Sequence, residues 1–137
     1  MARPREDRIK VVTGKIGPDD HYRGIIVVTQ AFRDAGMEVV YLGIGQSIEG
    51  VLRSVVEEDA EVVGLSFLCG GHKEIMERFM ERLREEGRDD VLVVMGGLIP
   101  ENDIPTLNEM GIAKVFLSET PLKEIVEFVE GAKSEAV

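Results

Sequence analysis

Residues 61–97 read EVVGLSFLCGGHKEIMERFMERLREEGRDDVLVVMGG. Two nearly continuous apolar runs, Glu61–Phe67 and Val91–Gly97, flank a stretch in which Ile75, Met76, Phe79, Met80 and Leu83 recur at helical spacing. A short apolar run with little alternation reads as a strand buried on both faces. The stripe between the runs reads as a helix over His72–Glu86, closed by Gly87. Two strands joined through a helix must run parallel, because the chain crosses back over the sheet before it can pair again.

The alternation continues in both directions. Upstream, Arg8–Lys15 reads as a strand and Gly24–Ala35 as a helix ended by Gly36. Met37–Gly43 is a second strand, and Ser47–Glu58 is a helix with Ile48, Val51, Leu52, Val55 and Val56 on one face. Downstream, Glu101–Met110 reads as a short helix stopped by Gly111. Lys114–Ser118 is the last strand, and Pro121–Glu130 is a helix with proline in its first turn, where no hydrogen bond is lost. Five such strands predict an α/β fold of the flavodoxin-like (Rossmann-like) class: a five-stranded parallel sheet, order 2-1-3-4-5, with helices on both faces. One domain over 8–130 is expected, with a flexible N-terminal tail at 1–7 and a C-terminal tail at 131–137. Ligands of such folds gather beyond the carboxyl ends of the strands, which singles out loops 15–24, 66–72 and 95–100.

The 137 residues carry 16 basic and 26 acidic side chains, a net charge of −10, and contain no tryptophan. That balance disfavours nucleic-acid partners, which need clustered cations. No apolar run approaches the length of a membrane span, so no membrane partner is expected. The charged start lacks a leader's apolar core, and the single cysteine, Cys69, excludes a disulfide framework. A cytoplasmic protein is therefore expected.

The three loops carry the chemistry. The first, KIGPDDHYRG over residues 15–24, is long for a strand-to-helix turn and holds one of two histidines. An aspartate two residues before a histidine can accept one ring N–H, fix the tautomer and raise the basicity of the other nitrogen, as around metal ligands. The bland alternative is a solvated loop with an idle histidine. With no ligand bound, this loop is expected to have little to pack against and to be mobile. In the second loop, Ser66 ends a buried strand and presents a hydroxyl to the crevice or to a neighbouring carbonyl. Cys69 and His72 have a spacing that could seed a zinc site, with Asp19 and His21 as the remaining donors. A small, half-buried cysteine is the simpler reading. In the third loop, Gly96-Gly97 permits close approach of a ligand to the backbone, or merely a tight turn.

Taken together, Asp19-x-His21-x-x-Gly24, Ser66-x-Leu68 and Gly96-Gly97 resemble the cobalamin-binding small subunit or C-terminal domain of the methylmalonyl-CoA mutase family. The similarity covers roughly residues 8–129. The resemblance implies that His21 is the lower axial ligand to the cobalt of adenosylcobalamin, replacing the cofactor's dimethylbenzimidazole. It implies that Asp19 holds the distal nitrogen of His21 and that Lys15 supports the pair. Gly24 would open the first helix to the nucleotide tail. Ser66 would hydrogen-bond the displaced base beside Leu68, and Gly96 and Gly97 would let the tail pass the fourth strand. Family members usually carry glycine, aspartate and leucine where this chain has Asp20, Tyr22 and Pro18.

Full-length mutases of this family also carry a large barrel for the acyl-CoA, for which 137 residues leave no room. The resemblance thus implies a cofactor-binding subunit of an isomerase, not catalytic alone, whose partner is a separate large acyl-CoA-binding subunit. The implied chemistry is cobalt–carbon homolysis followed by a 1,2 carbon-skeleton shift. The small subunit of 2-hydroxyisobutyryl-CoA or glutamate mutase and a corrinoid methyl carrier are the alternatives within the class. Outside it, a receiver-like signalling domain shares the fold, but strand three ends in Ser66-Phe67 rather than a phosphate-accepting aspartate.

Overall fold

The structure is a computed structural model and describes residues 8–134. The expected tail at 1–7 and residues 135–137 lie outside the described residues. The elements are β1 (Lys10–Gly14), α1 (Arg23–Asp34), β2 (Glu38–Tyr41), α2 (Ile48–Glu58), β3 (Val62–Phe67) and α3 (His72–Glu85). They continue with β4 (Leu92–Gly97), a 3-10 turn (Glu101–Asp103), α4 (Ile104–Glu109), β5 (Lys114–Leu117) and α5 (Leu122–Ser134). All neighbouring strands pair in parallel, in the order β2-β1-β3-β4-β5. The expected topology is the observed one.

Helix ends follow local chemistry. Ser47 caps α2 by accepting from Gly50 N–H at 2.9 Å. Asp59 closes it in the left-handed conformation, φ 52°. Helix α1 begins at Arg23, one residue earlier than expected, behind Tyr22, which offers no capping side chain. Helix α5 starts after Pro121 and runs to Ser134, four residues past the expected end at Glu130. Gly131 lowers helix propensity but lacks the steric clash by which proline would stop a helix.

The strands alternate between two cores. Val12, Val63, Leu65, Phe67, Val93 and Met95 pack with α2, α3 and α4 side chains such as Leu52, Phe79 and Leu107. Val11, Val62 and Val94 pack on the opposite face with Phe32 of α1 and Ile125 and Val129 of α5. The two faces differ in bulk. Toward the carboxyl ends of β3 and β4, the first face carries Leu65, Phe67 and Met95, whereas the second carries Gly64, Ser66 and Gly96. At that end of β3 and β4, helices α1 and α5 therefore close over small residues, while Val11, Val62 and Val94 fill the rest of the face.

Candidate functional site

Lys15 follows β1 and is fully buried. An ammonium group survives burial only with partners, and three oxygens supply them. Its Nζ lies 3.0 Å from Asp19 Oδ2, 3.1 Å from the Ser66 carbonyl and 3.4 Å from Ser66 Oγ. Asp19, 7% exposed, gathers further donors: Leu68 N–H at 2.7 Å on Oδ2, and His21 N–H at 3.1 Å on Oδ1. Burial alone would raise the Asp19 pKa. The N–H groups of Leu68 and His21, the His21 ring and Lys15 outweigh it and hold the carboxyl well below the usual range.

The same Oδ1 lies 2.8 Å from His21 Nδ1. An ionised carboxylate only accepts, so Nδ1 carries a proton, and in the neutral ring Nε2 keeps its lone pair. The His21 side chain is 56% exposed, and its Nε2 makes no hydrogen bond among the described residues. Lys15, Asp19 and His21 thus form a line from the sheet core to the surface. That line fixes one imidazole tautomer and points an unprotonated nitrogen outward.

The loop bearing this line is not short of packing partners, contrary to the expectation. Ile16 is buried and bridges to Gln46, Gly17 N–H donates to the Gln46 carbonyl at 2.9 Å, and Asp19 is tied to the β3–α3 loop through Leu68. Pro18 and the run Asp20–Gly24 are exposed, with buried Asp19 between them.

Beside the line, a cavity of about 500 Å³ opens between α1, α5 and the carboxyl ends of β3–β5. Its walls include Gly24, Ser66, Leu68, Gly96 and Gly97, together with Val28 and Ile125. Five of the residues singled out in the sequence therefore line one space; Lys15 and Asp19 adjoin it through their bonds to Ser66 and Leu68, and His21 is not part of its wall. The wall is mostly apolar, and Ser66 and Ser118 contribute hydroxyl-bearing residues. Ser118 Oγ donates to the Gly97 carbonyl at 3.2 Å. The α5 side of the wall, Leu122 and Ile125, was not anticipated. Its signal lay in β3, where VVGLSF alternates bulky and small residues.

The glycines separate by cause. A side chain at Gly97, φ +121°, would overlap the Phe67 carbonyl, and a Cβ at Gly96 would come within 2.9 Å of the Phe116 carbonyl. The sheet itself requires both, so close approach of a ligand is not their only reason. A Cβ at Gly24 would meet nothing within 4 Å.

The zinc arrangement suggested by Cys69 and His72 does not form. His72 is buried, with Nε2 2.8 Å from Asp103 Oδ2 and its ring edge-on to Phe67. Its Nδ1 is buried without a partner. Cys69 is exposed rather than half-buried, and its Sγ lies 3.5 Å from His21 Nδ1.

No helix among the described residues is long and apolar enough to cross a membrane. The B12 binding domain family matches residues 9–126. The small subunit of 2-hydroxyisobutanoyl-CoA mutase from Aquincola tertiaricarbonis is 36% identical over 121 residues, 88% of this chain and 89% of that protein. The pivalyl-CoA mutase small subunit from Xanthobacter autotrophicus is 42% identical over 130 residues, 93% and 87% of the two chains. The methylmalonyl-CoA mutase of Escherichia coli is 37% identical over 122 residues, covering 89% of this chain but 17% of that enzyme. Among solved structures, a cobalamin-binding protein from Desulfitobacterium hafniense superposes with a TM-score of 0.77 at 27% identity, over 91% of this chain and 59% of that one. With its five-stranded sheet and a family match spanning nearly its whole length, this chain belongs to the B12-binding domain family.

Proposed function

We propose that this chain is the cobalamin-binding small subunit of an adenosylcobalamin-dependent acyl-CoA mutase, and that His21 Nε2 is its lower axial ligand to cobalt. The observation that carries the reading is the Lys15–Asp19–His21 line, buried at Lys15 and Asp19 and exposed at His21. It leaves His21 Nε2 without a protein partner among the described residues, on the loop that leads into Arg23 and Gly24 of an apolar cavity of about 500 Å³. When bound, adenosylcobalamin supplies the radical chemistry of a carbon-skeleton isomerisation.

The donor set fits that cofactor. Gly24 is in a helix, where alanine would be the better former, and no protein atom occupies the space its Cβ would take. The open space at α1 suits a ligand group passing the helix. A mostly apolar cavity with a few hydroxyl-bearing residues, Ser66, Ser118 and Thr120, suits a flat, largely apolar base bearing few acceptors. The roles of the chain's own residues follow. Lys15 neutralises Asp19 and anchors it to β3 through the Ser66 carbonyl. Asp19 retains the Nδ1 proton of His21, which keeps Nε2 a donor of electrons to a metal. Leu68 N–H fixes the second oxygen of Asp19, so the carboxylate cannot turn away from the ring. Ser66 and Leu68 hold the displaced base, and Gly24, Gly96 and Gly97 form the path of the tail.

The near-full-length match to two mutase small subunits supports a separate large subunit that binds the acyl-CoA thioester. Methylmalonyl-CoA, 2-hydroxyisobutyryl-CoA and pivalyl-CoA are the substrates to try, because the relatives act on them by name. A cobalamin titration followed by electron paramagnetic resonance of the cobalt(II) form tests the ligand. Nitrogen hyperfine coupling from labelled protein histidine is expected in the wild type and absent in His21→Ala. Binding with dimethylbenzimidazole still on cobalt would refute the proposed role of His21.

A further inference from the structure

We propose that the cobalamin-free protein holds a borderline-soft divalent cation of the zinc type at His21 Nδ1, Cys69 Sγ and Asp19 Oδ1, and that this cation and cobalamin exclude one another. The ligand atoms of Asp19, His21 and Cys69 all lie within 4.8 Å of one another. Metal–nitrogen and metal–sulfur bonds of about 2.0 and 2.3 Å at a tetrahedral angle place nitrogen and sulfur about 3.5 Å apart. Cys69 Sγ and His21 Nδ1 are 3.5 Å apart. Asp19 Oδ1, 2.8 Å from Nδ1, completes a face of such a tetrahedron after a shift of about half an ångström. The fourth position opens to solvent. Asp20 can reach it, its Oδ1 4.0 Å from Nδ1 and its side chain 85% exposed.

The local charge favours a cation. Asp19 lies within 4.8 Å of the thiol and the ring, Asp20 comes within 4.0 Å of the ring, and Lys15 is already paired with Asp19. A bound cation would take Cys69 as its thiolate, so binding releases a proton. On binding, the Cys69 S–H proton leaves to solvent, and the proton on His21 Nδ1 is replaced by the metal and returns at Nε2. No electrons move.

Exclusion follows from that single ring proton. A neutral imidazole has one lone pair available to a metal. With the cation on Nδ1, the proton occupies Nε2 and closes it to cobalt. With cobalt on Nε2, Nδ1–H stays with Asp19. The site itself stands on this chain's geometry alone, whereas the exclusion rests on the proposed role of His21.

The test begins with aqueous Co2+ as a spectroscopic probe of the cobalamin-free protein. A thiolate-to-cobalt charge-transfer band is expected in the wild type, reversed by Zn2+, and absent in Cys69→Ser and in His21→Gln. No band in the wild type, or a band that survives His21→Gln, overturns the site. The second arm titrates cobalamin with Zn2+ at ten times its own dissociation constant. Competition then raises the apparent cobalamin dissociation constant about eleven-fold in the wild type. It leaves Cys69→Ser, whose thiol touches no expected cofactor group, unchanged. An equal effect on both proteins overturns the exclusion. Should neither protein bind cobalamin, the reading of His21 fails on its own and the Co2+ arm still decides the metal site.

Discussion

Gly24→Ala is expected to stabilise the protein and weaken cobalamin binding at once. The residue is helical, without positive φ, and an added Cβ would meet no atom within 4 Å. Replacing glycine by alanine where the backbone allows it stabilises by about 0.5 kcal/mol, mainly through the unfolded chain. For a domain of this size that raises Tm by about 2 °C. The methyl group would instead project into space at the cavity wall. Forcing a methyl into a filled site costs about 1–3 kcal/mol, which lowers affinity about 5- to 150-fold. Calorimetry of the cofactor-free protein and an absorbance titration with cobalamin measure the two effects separately. Gly97→Ala is the control for a glycine the fold needs. With φ +121° and the Phe67 carbonyl in its way, it is expected to lose about 3 kcal/mol or more of stability. Unchanged cobalamin affinity in Gly24→Ala, with Tm raised, would refute the reasoning that a ligand fills the space beside α1.

Three further outcomes are expected. Asp19→Asn leaves buried Lys15 without an anionic partner, and the loss of the carboxylate lowers stability by about 3–5 kcal/mol, read by urea denaturation. Asp103→Ala leaves buried His72 with neither ring nitrogen paired, at a cost of about 1–3 kcal/mol by the same assay, with the His21 line untouched. The pH dependence has one sign. Asp19 and Asp103 both have pKa values held below their unfolded ones, Asp103 chiefly by its hydrogen bond to His72. Their stabilisation is complete above the unfolded carboxylate pKa and drains away as pH falls below about 4. Stability measured from pH 7 to 3 should fall, and Asp19→Asn should flatten the decline; an unaltered slope would show that Asp19 is not a source of it.

The sheet order was legible because strands buried on both faces leave an unmistakable apolar run, and β3 and β4 are such runs. The line from Lys15 to His21 was partly legible, because Asp19 and His21 are two residues apart and local geometry brings them together. Other contacts needed tertiary information. Cys69 and His21 are separated by 48 positions, and His72 and Asp103 by 31. Cysteine is usually a buried residue type, which is why Cys69 read as half-buried. The cavity's outer wall comes from α5, which lies outside the three loops that the strand ends single out. The extra length of α5 escaped because glycine weakens a helix without ending it.

The alternation along β3 has a consequence for how such a protein can diversify. Val63, Leu65 and Phe67 answer to one helix layer, while Gly64 and Ser66 answer to whatever lies under α1 and α5. Neighbouring codons therefore face separate selections, one for folding and one for ligand. A Cβ at Gly64 would make only ordinary contacts, the nearest 3.5 Å from Thr13 Cγ2. The cavity floor can thus be raised by a methyl group with the opposite layer left intact, which gives a lineage, or a designer, a route to a differently shaped ligand without rebuilding the scaffold.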